Sequence, residues 1–166
     1  LRVVLRLKDK GMEGRSSFLF SEMARESGKA DQEGYAVLSD IVTRTPGYVT
    51  LMEDYLYRNP QSALSARMRY AHALNCFDDG QYEVASRIFA GLEMSDLYRD
   101  QVDEYIFKKA YCHLEGGRDN EALQGFHQVE KRSFTDFTTP ARYAIGYINY
   151  ERKNFSEAMG WFEKSS

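Results

Sequence analysis

Three stretches of the chain repeat one arrangement of apolar, small and polar positions. Gly80-Gln81-Tyr82-Glu83-Val84-Ala85-Ser86-Arg87-Ile88-Phe89 is followed by Gly117-Arg118-Asp119-Asn120-Glu121-Ala122-Leu123-Gln124-Gly125-Phe126 and by Asn154-Phe155-Ser156-Glu157-Ala158-Met159-Gly160-Trp161-Phe162. Each sets alanine four residues before phenylalanine, as Ala85/Phe89, Ala122/Phe126 and Ala158/Phe162. That separation puts both side chains on one face of an α-helix. Twelve residues before each alanine stands another small residue, Ala73, Ala110 and Gly146, so the unit recurs every 36–37 residues.

The unit reads as a helical hairpin. The small residue on the first helix and the alanine on the second allow close approach, and the phenylalanine fills the space between units. Gly80 and Gly117, five residues before their alanines, fall in the interhelical turn, where glycine adopts positive φ at little cost. Thr45-Pro46 and Thr139-Pro140 read as a helix N-cap followed by proline at the first helical position, and Pro60 ends a helix. Weaker copies of the unit lie upstream, at Ala36/Tyr48/Met52 and at Val4/Ser16/Phe20 with Gly11 in the turn.

The pattern predicts helices over 1–8, 12–27, 31–44, 46–58, 63–79, 82–93, 99–115, 119–131, 140–153 and 155–165. The expected fold class is all-α, a right-handed α-solenoid of antiparallel helix pairs in a single domain over 1–166. It holds a partial repeat 1–27, repeats at about 29–62, 63–98 and 99–135, and a partial repeat 136–166. A start in mid-helix and an apolar end at Trp161-Phe162 suggest a fragment of a longer array. Self-association through exposed end repeats is expected on the same ground, since terminal repeats normally carry a polar outer face.

The alanine-x₃-phenylalanine second helix and the helix–turn–helix unit resemble the tetratricopeptide repeat (TPR) family. The chain departs from the family pattern in lacking the first-helix tryptophan and in preceding its small residue with His72, Lys109 and Ile145 rather than leucine. Its period also exceeds the usual ~34 residues. That longer unit, with the turn Tyr55-Leu56-Tyr57-Arg58-Asn59-Pro60-Gln61-Ser62, is similar to the bacterial envelope branch of the family. The branch includes the TolA-binding proteins and the outer-membrane-assembly lipoproteins, and long repeat proteins of Bacteroides-type bacteria look alike too. The resemblance implies a superhelix whose first helices line a concave protein-binding surface. It also implies the periplasm or cell envelope as the compartment; without it, the cytoplasm is the expectation.

Composition narrows the function classes. Of 166 residues, 43% are apolar and 28% charged, which suits a globular chain. Twenty-two basic against 25 acidic residues give a net charge of −3 with no basic block, which argues against nucleic acid and anionic lipid as partners. No run approaches the roughly 18 apolar residues of a membrane helix. Two cysteines, Cys76 and Cys112, cannot build a disulfide framework.

Chemistry-bearing motifs are missing. No phosphate-binding glycine loop, dinucleotide fingerprint, H-E-x-x-H, G-x-S-x-G or C-x-x-C occurs. Asp78-Asp79-Gly80 lacks the spacing of a calcium loop and reads as a helix end, and the sequon Asn154-Phe155-Ser156 reads as turn chemistry. His72, Cys76, Cys112 and His113 could be drawn as a zinc site or a Cys–His pair. Adjacent helical residues such as Cys112 and His113 diverge by about 100°, however, so the four do not converge readily. The expectation is no catalytic residue, no metal and no cofactor.

What remains is a non-enzymatic scaffold for a protein or peptide partner. The alternatives are an accessory module of an enzyme and a structural spacer within a longer repeat protein. Three residues before the small residue of each unit stand Tyr70, Phe107 and Tyr143; one after it, Leu74, Tyr111 and Tyr147; four after it, Phe77, Leu114 and Tyr150. These offsets share one helical face, so the nine form a candidate binding surface. Arg67, Glu104, Glu115 and Glu151 are expected at its rim. Five of its seven aromatics are tyrosines, which suit an interface. The competing reading makes the same aromatics core.

Overall fold

The computed structural model describes Tyr57, residues 63–132 and residues 134–166. Among these residues six α-helices follow one another: α1 (Ala63–Asp78), α2 (Tyr82–Ala90), α3 (Val102–Glu115), α4 (Asp119–Glu130), α5 (Thr138–Glu151) and α6 (Phe155–Ser165). A short 3₁₀ turn, Met94–Asp96, stands between α2 and α3, and no strand occurs among the described residues. The expectations for residues 1–62, Tyr57 apart, lie outside the described residues.

Three turns of one construction join the helix pairs. In the first, Gly80 N–H donates to the Phe77 carbonyl at 3.0 Å and Gln81 N–H to the Cys76 carbonyl at 2.7 Å. Gly117 and Arg118 repeat this toward Leu114 and His113 at 2.9 and 2.8 Å, and Lys153 and Asn154 toward Tyr150 and Asn149, both at 2.9 Å. This is the Schellman pattern, in which the last helical carbonyls are satisfied by a residue in the left-handed region and by its successor. Gly80 and Gly117 hold φ of +74° and +69°, and Lys153 stands at +63° in the third copy. The successor then caps the next helix, its carbonyl accepting from Ala85, Ala122 or Ala158 at 3.0 Å each.

Packing follows the small-residue register. Ala85, Ala122, Ala158 and the first-helix residues Ala110 and Gly146 are buried. Phe89 and Phe126 are fully buried, and Phe162 is half-buried against Tyr143, 5.4 Å between ring centres. Gly125, not singled out by the sequence pattern, lets α4 approach α3 closely at Ala110. Along the chain α2 packs on α3, α3 on α4, α4 on α5 and α5 on α6.

Several helix ends differ from expectation by one to three residues, three of them for a local reason. The second helix stops at Ala90 rather than 93, because Gly91 and Leu92 turn back onto Ile88 and Phe89 with i→i−3 bonds. The Tyr105 hydroxyl meets the chain just beyond, 2.8 Å from the Leu92 carbonyl and 3.1 Å from that of Phe89. The following helix begins at Val102 rather than 99, after a turn closed by Tyr98 and Gln101. The fifth begins at Thr138, with Phe137 as N-cap, so Thr139 is not the cap and Pro140 is the third helical residue. Proline is tolerated there because the first-turn N–H groups have no intrahelical acceptor.

The chain divides into two compact units, Leu1–Asn75 and Cys76–Ser166. Of the first, the described part is Tyr57 and α1 up to Asn75, in which Ala66, Met68, Tyr70 and Ala73 are buried. The second contains the remaining elements and most of the candidate surface.

Candidate functional site

Seven of the nine candidate residues fall in the second unit. On α3, Phe107, Tyr111 and Leu114 are half-buried; on α5, Tyr143, Tyr147 and Tyr150 are exposed at 58%, 43% and 53%. Phe77, at the end of α1, is half-buried. In the first unit Leu74 is half-buried and Tyr70 completely buried. Tyr70 was expected on the contact surface and is instead a core residue, with no area to offer a partner.

The same offset thus carries different duties. Phe107 lies 5.5 Å from both Phe126 and Phe137 and belongs to the packing between repeats. Tyr143, its counterpart, makes the equivalent contact with Phe162 yet keeps its outer side open. Tyr111 closes an aromatic corner with Phe77 and Tyr82, 5.5 Å from each. Tyr150 stacks edge-on with Phe155 at 5.6 Å.

Four of the predicted residues, Tyr111, Leu114, Tyr143 and Tyr147, line one groove of about 590 Å³ between α3 and α5. Glu115 and Glu151, two of the predicted rim residues, line it as well, together with Asp119 and Ala144. Of the other rim residues, Glu104 lies 3.3 Å from Lys108 on its own helix, and Arg67 is half-buried in the first unit. Burial, and then the Glu115 carboxylate that accepts its hydrogen bond, push the Tyr111 hydroxyl above the usual tyrosine range. Asp119 has Arg152 at 3.8 Å, and no cation among the described residues pairs with Glu115 or Glu151. The groove is therefore aromatic-walled and acidic.

Asp119 and Ala144 were missed by the sequence reading. Their signal is the repeat alignment itself, which sets Asp119 at the position of Tyr82 and Ala144 at that of Lys108.

Cys76 and Cys112 are buried and neither is in a disulfide, and burial pushes the Cys112 thiol up to about 11, which keeps it protonated at neutral pH. His113 lines a separate cavity of about 610 Å³ with Tyr105, Ile106 and Lys109. Burial, then the charges of Arg118 and Lys109, hold its imidazole below the ordinary histidine range. Among the described residues no three His, Cys, Asp or Glu side chains converge as a metal site, and no helix is long and apolar enough to cross a membrane.

No protein-family model matches the chain, and neither does any curated protein sequence. Two solved structures are similar. One, described as the MamA RS-1 ArsTM double mutant, superposes with a TM-score of 0.64 at 12% identity, over 99% of this chain and 89% of that one. The other, a crystal structure of MamA, gives a TM-score of 0.57 at 13% identity, over 96% of this chain and 90% of that one. MamA is a helical TPR solenoid, and the chain has the same all-α, TPR-like fold.

Proposed function

We propose that the chain is a non-enzymatic scaffold that holds a protein or peptide partner on the first-helix face of its repeats, with the α3–α5 groove as the centre of contact. The observation that carries this reading is the exposure of Tyr143 and Tyr147 beside an open, aromatic-walled groove. Tyrosine gives rigid amphipathic contact area at low entropic cost, which is why it is enriched at interaction surfaces. Phe77 and Tyr150 flank the groove residues in the repeat register and extend the proposed surface along the same face. Phe107, packed between repeats, supports it from behind. The TPR-like fold agrees with an interaction role, and the similarity of the Tyr55–Ser62 sequence to the envelope branch favours a periplasmic setting.

Linear random peptides displayed on phage and selected against the full chain test the reading. Selected peptides should lose about tenfold in affinity on Tyr147→Ala, the size of one lost aromatic contact, while the helical circular dichroism stays unchanged. Peptides that bind native and Tyr147→Ala chains alike would contradict it.

A further inference from the structure

The aromatic corner and the groove occupy the same place in successive repeats. At the corner, Lys108 fills the site from inside the chain. Its Nζ lies 4.8 Å over the Phe77 ring and donates to Asp78 Oδ1 at 3.1 Å. One repeat later Ala144 stands for Lys108, Glu115 for Asp78, Leu114 for Phe77 and Asp119 for Tyr82. The acid is kept, the lysine is absent, and two aromatic rings are cut down. The volume they vacate belongs to the groove, whose lining includes all four replacements.

We infer that the groove accepts a lysine or arginine side chain from a basic segment of a protein partner, seated where Lys108 sits one repeat earlier. The inference rests on the proposed binding role of this groove and names the chemistry of its occupant. Tyr111 and Tyr147 line the groove with aromatic rings, to which a cation is attracted, and Glu115 and Glu151 supply the counter-charge. An acidic or phosphorylated segment would meet the unpaired carboxylates of Glu115 and Glu151, while Asp119 is compensated by Arg152 at 3.8 Å. The groove stands partly open to solvent, so the attraction weakens with salt.

The test compares phage-selected peptides on three forms of the full chain: native, Ala144→Lys, and Glu115→Gln with Glu151→Gln. Ala144→Lys returns the internal lysine to the slot and neutralises Glu115. Native-selected peptides should be enriched in lysine and arginine. They should lose about tenfold in affinity on each variant, as expected for a lost charge-assisted contact, and lose similarly when their own lysine is replaced by norleucine. Circular dichroism should be unchanged in both variants. Basic peptides that bind Ala144→Lys undiminished overturn the inference. Neutral peptides that are nevertheless lost on Tyr147→Ala overturn it while leaving the groove as a binding site. Peptides indifferent to Tyr147→Ala, or a selection that yields none, overturn both.

Discussion

Gly125 on α4 faces Ala110 on α3 with no room for another carbon: a Cβ at Gly125 would lie 2.6 Å from the Ala110 Cβ and 3.4 Å from its Cα. Alanine in place of a mid-helix glycine gains about 1 kcal/mol in propensity. Here the two helices would have to separate, at a cost of about 1–3 kcal/mol. Gly125→Ala should therefore destabilise the chain in urea denaturation, and adding Ala110→Gly should recover part of the loss through coupling between the sites. Gly160 on α6 has nothing within 4 Å of an added Cβ, so Gly160→Ala should stabilise by about 0.5–1 kcal/mol. Equal signs for Gly125 and Gly160 would contradict the packing described.

Lys153 occupies the left-handed position that Gly80 and Gly117 fill in the earlier turns. A side chain there carries steric strain that glycine avoids. Lys153→Gly should raise stability by up to about 1 kcal/mol, whereas Gly117→Ala should lower it by about 1–2 kcal/mol. Thermal unfolding of the two variants checks the pair, and a destabilised Lys153→Gly would mean that Lys153 contributes something the turn geometry does not show.

Two histidines set a pH dependence. Burial, reinforced by neighbouring cations, holds the pKa of His113 and of His127 below the ordinary value. The unfolded chain, with histidines near 6.5, then binds more protons than the folded one as pH falls through that value. Their contribution is fully present above about pH 6.5 and is lost progressively below it, down to the folded pKa values. Urea midpoints should fall between pH 7.5 and pH 5.5, and the fall should shrink in His113→Asn. A midpoint that rises on acidification would contradict the assignment.

The helices among the described residues and their register were legible because alanine and phenylalanine recur one helical turn apart, in units that repeat every 36–37 residues. The groove was only partly so. Tyr70, Phe107 and Tyr143 share one offset, yet the first is buried, the second packs between repeats and the third is exposed. Exposure depends on which neighbour a repeat has, and periodicity does not carry that information. The groove also arises where bulk is missing, at Ala144 and Asp119, and a search for large side chains passes over such positions. The start of α5 escaped for a local reason: Thr135 N–H donates to Thr138 Oγ1 at 2.9 Å, closing a turn ahead of the Thr139-Pro140 pair that looked like the cap.

Glu121 is exposed beside Ala122, which is completely buried. Ala122→Leu should cost about 1–3 kcal/mol by overpacking, whereas Glu121→Ala should stay within about 0.5 kcal/mol. Equal costs in denaturant titration would place the helix face wrongly.

Whether the α5 tyrosines are contact surface rather than core is measured most directly by the stability of Tyr147→Ala against Phe126→Ala. Phe126 is fully buried and its loss should cost about 3–5 kcal/mol. Tyr111→Ala, which opens the aromatic corner, should fall between the two. Tyr147, 43% exposed at the groove wall, should cost under about 1 kcal/mol in the same urea titration. A Tyr147→Ala chain that unfolds as readily as Phe126→Ala would make the tyrosine core and remove the basis for a binding groove.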